Sequence, residues 1–168
     1  MSKNLQIKLI SDQVIITACA DMMAGSDPWI TLGMDFDYCL TAFQGPCKET
    51  YILEIENELM GFMILQVCGS FKGYIQTLFV RDGERGKGYG RILLDFAEQR
   101  ILDISPNIFI CVSSFNIEAK KLYEEFGFDY VGELKDFVKK GFSELLYRKS
   151  VGPLIDFNSK KNKKSSGC

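Results

Sequence analysis

Between Tyr74 and Leu102 the chain reads YIQTLFVRDGERGKGYGRILLDFAEQRIL, and this stretch constrains the fold more than any other. Tyr74–Val80 is a short apolar run of strand-forming residues and reads as a buried strand. Residues 81–90 form a turn with four glycines and three cations. Residues 91–102 then turn helical, with Leu93, Phe96, Ala97 and Ile101 on one face. A strand, a basic glycine-rich loop and a helix in this order aim free backbone N–H groups and the positive end of a helix at one spot. The ligand such a spot suits is an anionic phosphate group.

The flanking segments complete a pattern. Residues 5–9 read as a first strand. A helix is expected from Asp12, with Ile15, Ala18, Cys19 and Met22 at helical spacing, broken at 24–28. Asp27-Pro28 is a restart signal, a capping carboxylate followed by proline. Trp29, Leu32, Phe36, Leu40 and Phe43 carry a second helix to about residue 43, where Gly45-Pro46 ends it. Residues 50–55 and 59–67 make an antiparallel hairpin around Glu56-Asn57-Glu58. After the central stretch, Ser105-Pro106 blocks the helix and Asn107–Ser113 forms another buried strand, parallel to the first. Asn116 caps a helix that stops at Gly127, and residues 130–138 and 142–149 form a last hairpin. The order β-α-α-β-β-β-α-β-α-β-β predicts a mixed sheet with helices on both faces, not a doubly wound nucleotide fold.

Composition narrows the chemistry. The 168 residues are 46% apolar and 12% aromatic, which suits one domain with a sizeable core. One domain is expected over 1–152, followed by a basic, disordered tail over 153–168. Four of the 20 basic residues lie in the last ten, against 22 acidic residues overall, so the body is mildly acidic and no nucleic-acid partner is expected. No apolar run is long enough to cross a bilayer, and the first residues lack a signal-peptide core; the expectation is a cytoplasmic protein with no membrane partner. On that basis Cys19, Cys39, Cys47, Cys68, Cys111 and Cys168, none in a CxxC pair, are expected to be reduced thiols. Histidine is absent, which removes His-based triads and imidazole metal sites; no metal is expected.

Arg85-Gly86-Lys87-Gly88-Tyr89-Gly90 resembles the R/Q-x-x-G-x-G/A loop of the GNAT superfamily of N-acetyltransferases, and it lies between a strand and a helix as in that family. Asn116, Ala119, Leu122-Tyr123 and Gly127-Phe128 resemble the family's second signature, N-x-x-A-x-x-L-Y-x-x-x-G-F. Two motifs in order on matching elements carry far more weight than one glycine motif, and the likeness spans about residues 5–150. It implies an α/β fold of the α+β type, the GNAT fold, with a mixed, mostly antiparallel sheet of six to seven strands. It implies acetyl-coenzyme A as co-substrate and a small amine, amino acid or peptide N-terminus as acceptor, attacked directly without a covalent enzyme intermediate. Arg85, Gly86, Lys87, Gly88, Tyr89, Gly90 and Arg91 would cradle the pyrophosphate. Leu78, Phe79 and Val80 would pair with the pantetheine arm, the Leu78 N–H polarising the thioester carbonyl. Asn116 would hold a pantetheine amide, and Tyr123 would protonate the departing thiolate. Family dimers make a homodimer an open expectation.

The general base is the gap in this reading. Many family members carry an acid on the organising strand, where this chain has Gln76, which cannot serve as a base. Glu54, Glu133 and Asp136 are the candidates. Residues 22–29 (MMAGSDPW) either line the acceptor pocket or serve only as core anchor and cap. Cys111 has no histidine to activate it, which speaks against an acyl-cysteine step. The alternative to an enzyme is a module that senses acyl-coenzyme A without turning it over.

Overall fold

The structure is a computed structural model and describes residues 4–157; the lysine-rich end of the chain and Cys168 lie outside them. The elements are β1 (Leu5–Ile10), α1 (Gln13–Ala24), α2 (Trp29–Leu32), α3 (Phe36–Thr41), β2 (Lys48–Ile55), β3 (Glu58–Gln66), β4 (Tyr74–Val80), α4 (Tyr89–Ile101), β5 (Asn107–Ser113), α5 (Ile117–Phe126), β6 (Asp129–Lys135) and β7 (Ser143–Ser150). The strands form one seven-stranded sheet in the order β1-β2-β3-β4-β5-β7-β6. Only β4 and β5 run parallel; every other neighbouring pair is antiparallel.

Side-chain alternation on the central strands feeds two cores, one on each face. Tyr51, Leu53, Ile55, Met63 and Leu65 point to the side covered by α4 and α5. Ile52, Phe62 and Phe79 point to the other side, against Cys19, Ala20 and Met23 of α1 and Cys39 of α3. The Phe62 and Phe79 rings stack with centroids 4.8 Å apart, and Trp29 packs on Phe79 at 5.8 Å. Arg100 clamps α4 to β2 through a bidentate pair with Glu49, at 2.6 and 2.8 Å, and the Tyr51 hydroxyl donates to the same carboxylate.

Three expectations are corrected here. The helix predicted from Pro28 to Phe43 is two short helices: Gly33 takes φ +71° and ends α2, and Asp35 caps α3 by accepting from the Tyr38 N–H. The apolar spacing is continuous across this break because both short helices press on the same core. The hairpin turn is two residues, Glu56 and Asn57, both with positive φ, the pattern of the tight turn that matches strand twist. Finally, Cys47 and Cys68 are joined in a disulfide, with Cα atoms 5.5 Å apart. They sit at the open end of the β2–β3 hairpin, where the register that pairs Lys48 with Gln66 carries them together. Cys19 and Cys39 are buried thiols, and burial pushes the Cys19 thiol up to about 12.

Candidate active site

The site is set by how β4 leaves β5. The two strands pair at Tyr74 with Phe109 and at Ile75 with Ile110, and nowhere further along. On its other edge β4 stays bonded to β3 as far as Val80, but the register shifts so that Gln76 has no partner on β3. A single extra residue bends its strand and re-aims the side chains beyond it. Ile75, Leu78 and Val80 face the α4 side, whereas Phe79 faces the α1 side and Thr77 is buried. The splay leaves one edge of residues 76–80 open.

A cleft of about 720 Å³ lies along that edge. Its floor is Leu78, Phe79 and Val80; one wall is Arg85, Gly86, Gly88, Tyr89, Gly90 and Arg91, the other Asn116, Leu122 and Tyr123 of the α5 segment. Gly86 and Gly88 have φ of +75° and +87°, and a Cβ on either meets open space. Positive φ and a bare cleft wall are what glycine supplies here. Gly88 caps α4, whose first turn leaves its amide groups unbonded by the helix itself. The two walls approach closely at one point: a Cβ on Gly90 would meet Leu122 Cδ2 at 3.0 Å.

The loop cations are partly satisfied within the loop. Arg85 pairs with Asp82 at 2.9 Å and donates to the Val80 and Asp27 carbonyls. Lys87 pairs with Glu84 at 3.0 Å and, alone among the residues predicted for the cradle, does not line the cleft. The Arg91 guanidinium lies over the Phe126 ring. Ser26 donates to Asp82 at 3.2 Å, so the α1–α2 junction is tied to the same loop.

A second cavity of about 150 Å³ adjoins the first, and Pro28, Trp29, Leu78, Asn116 and Tyr123 line both. Trp29 is thus core packing and pocket wall at once, and Asp27, on the wall of the larger cleft, accepts from the Thr31 N–H and hydroxyl. Asn116 caps α5 by accepting from the Ala119 N–H at 3.2 Å. Tyr123, two turns on, is 5% exposed; burial, with the charge of Glu144 added, holds its phenol above the usual tyrosine range. Gln76 lines the smaller cavity and donates to the Ala42 carbonyl at 3.1 Å.

None of the three predicted base candidates lines either cavity. Glu54 pairs with Lys8 across β1 and β2, Glu133 is exposed on β6, and Asp136 accepts from the Gly141 N–H in the last turn. The acid that does line the smaller cavity is Glu144, which sequence reasoning missed. It stands opposite Ser113 in the β5–β7 ladder and accepts from the Ser113 hydroxyl at 2.6 Å. Burial raises its pKa and that hydrogen bond opposes the rise. Cys111 lines the same cavity with its thiol raised by burial, which weakens it further as a nucleophile.

Among the described residues no helix is long and apolar enough to cross a membrane, and no cluster of potential metal ligands occurs. No curated protein matches the chain by sequence. Among solved structures, the ribosomal-protein-S18-alanine N-acetyltransferase of Escherichia coli superposes with a TM-score of 0.68 at 16% identity, covering 89% of this chain and 96% of that one. An aminoglycoside 6′-N-acetyltransferase complexed with coenzyme A gives 0.69 at 14% identity over 88% and 98% of the two chains. A nourseothricin acetyltransferase gives 0.57 at 20% identity over 64% and 67%. These likenesses establish the fold. The acetyltransferase (GNAT) family model matches residues 18–128, about two thirds of the sequence and both motifs, and the chain belongs to that family.

Proposed function

We propose that this protein transfers an acetyl group from acetyl-coenzyme A to a primary amine by direct attack of the amine on the thioester. The observation that carries the reading is the open edge of residues 76–80, where a long cleft and a small cavity meet at Leu78, Asn116 and Tyr123. The long cleft suits an extended carrier with an anionic end. The diphosphate lies against the amides of residues 86–91, with Arg85 and Arg91 countering its charge. The pantetheine arm adds to β4 as a strand, bonded to the backbone of Leu78, Phe79 and Val80, and Asn116 holds one of its amides. The thioester then falls at the junction of the two cavities. There the Leu78 N–H polarises the carbonyl, and Tyr123 meets the sulfur.

Tyr123 suits the role of acid because it is buried and fully protonated at neutral pH. The apolar surroundings that hold its proton also raise the basicity of a thiolate released beside it, so the two stay matched. In the test, the protein is incubated with acetyl-coenzyme A and a panel of alkylamines, amino acids, peptides and aminoglycosides while free thiol and acetylated product are followed. Amine-dependent thiol release with stoichiometric amide is expected; tight binding without turnover across the panel overturns the reading.

A further inference from the structure

Glu144 is a carboxylate held where a carboxylate is costly. It is 7% exposed, on the wall of a 150 Å³ cavity, and the one hydrogen bond its carboxylate makes among the described residues is the 2.6 Å contact from the neutral Ser113 hydroxyl. Among the described residues no lysine or arginine forms an ion pair with it. The ionisable groups around it come from three elements: Tyr74 on β4, Cys111 on β5 and Tyr123 on α5. Phenols and thiols are neutral or anionic, so none supplies positive charge, and burial holds each in its neutral form. A buried carboxylate without a cation is strongly disfavoured unless something brings one. We infer that Glu144 receives the ammonium group of the acceptor and takes its proton, and that the cavity selects a short primary amine with no second charge.

The selectivity follows from the walls. Trp29, Leu32, Met34, Phe137 and Val138 give the cavity an apolar share of wall beside the neutral Gln76, Thr77 and Asn116, and among the described residues Glu144 is the only acid that lines it. A second ammonium group on the acceptor loses its water there and finds no partner. The volume equals that of about five waters at liquid density, enough for a short alkyl stem. This assignment rests on the acetyl-transfer reading. The protons balance as follows. The ammonium gives one proton to Glu144. The freed nitrogen lone pair forms the C–N bond at the thioester carbon. The C–S bond breaks with its electrons on sulfur, which takes the Tyr123 proton. The nitrogen's surplus proton returns to Tyr123, and Glu144 releases its own to water. The products are one amide, one thiol and one proton.

The experiment compares wild type, Glu144→Gln and Ser113→Ala with acetyl-coenzyme A and three probes: n-butylamine, 1,4-diaminobutane and methoxyamine, whose nitrogen is neutral at pH 7. In E144Q, kcat/KM for n-butylamine is expected to fall about 100-fold or more, with acetyl-coenzyme A affinity unchanged and a much smaller loss for methoxyamine. In S113A, which keeps the carboxylate and serves should E144Q fail to fold, the acid limb of the n-butylamine pH profile is expected to move to higher pH. Wild type is expected to prefer n-butylamine to the diamine by about tenfold or more, on the cost of a desolvated charge. Undiminished E144Q, equal losses for the two monoamines, or an unmoved acid limb in S113A overturns the role of Glu144. A preference for the diamine overturns the selectivity. A wild type that acetylates none of the three but turns over a peptide, amino acid or aminoglycoside also overturns the selectivity; one that turns over no amine of the wider panel overturns the acetyl-transfer reading itself, and the assignment falls with it.

Discussion

Ile75 and Ile110 are the last residues paired between β4 and β5. Beyond them β4 keeps one bonded neighbour, β3, and its second edge faces the cleft. An unpaired edge exchanges its outward amide hydrogens faster than a paired one. If a pantetheine arm adds to this edge, saturating acetyl-coenzyme A slows amide exchange within residues 78–80 and leaves β2 unaffected. Hydrogen-exchange mass spectrometry checks this; unchanged exchange at 78–80 in a saturated complex counts against strand addition.

Gly86 and Gly88 give a second handle on the cleft. Alanine at either must hold positive φ, at a cost of about 1 kcal/mol in stability, and places its methyl group in open cleft space. Gly88→Ala is expected to weaken acetyl-coenzyme A binding by tenfold or more while lowering Tm by only a few degrees, the size of shift about 1 kcal/mol produces in a domain of this length. Calorimetric titration alongside a melting curve separates the two effects.

The parts of this fold that were legible in the sequence are those whose signals are local. Tyr74–Val80 and Asn107–Ser113 are bounded runs, apolar on both faces, and their observed limits match the expected ones. Asn116 and Gly127 punctuate α5 at both ends. The bulge at Gln76 leaves no mark in composition, because it arises from a register between strands. The break at Gly33 and Asp35 did carry its signals, a C-terminal glycine and a capping acid, but apolar spacing ran unbroken across them. Glu144 was hidden for the reason that makes it interesting. Its burial depends on β5 pairing with β7, a contact between segments 31 residues apart, and no window around residue 144 reveals it.

The Cys47–Cys68 disulfide closes a loop with a sequence separation of 21. Chain entropy alone assigns such a closure about 3 kcal/mol, less where the hairpin already holds its ends together in the unfolded chain. Cys68→Ser is expected to lower Tm by several degrees, and reductant is expected to lower the wild-type Tm while leaving the variant unmoved. Neither residue lines the cleft or the smaller cavity beside it, so acetyl transfer by folded protein at 25 °C should be unaffected. Equal melting of wild type with and without reductant counts against a stabilising bond.

Tyr123→Phe removes one oxygen from a ring packed near Phe128, with centroids 6.0 Å apart, so the packing should survive. The proton for the departing sulfur then has to come from water. We expect kcat to fall about 100-fold while acetyl-coenzyme A affinity changes little, in a steady-state assay paired with a binding titration. A variant with wild-type kcat counts against the phenol as the acid.

The burial that suits Glu144 to accept a proton should also cost stability, and the sign of that cost is testable. Its folded pKa is raised above the unfolded value, with burial as the larger cause. The folded state therefore binds the proton more tightly, and stability falls as pH rises through the interval between the unfolded and folded values. Below the ordinary carboxylate range both states are protonated and the penalty vanishes. Glu144→Gln, which cannot ionise, should thus melt at a higher temperature than wild type at pH 7–8, with the gap closing on acidification toward pH 4. A protonated amine bound in the cavity should narrow the same gap from the other side by stabilising wild type alone. Melting curves across this pH range, with and without n-butylamine, check both halves. If the variant is the less stable protein at neutral pH, the carboxylate is better satisfied than its one hydrogen bond indicates.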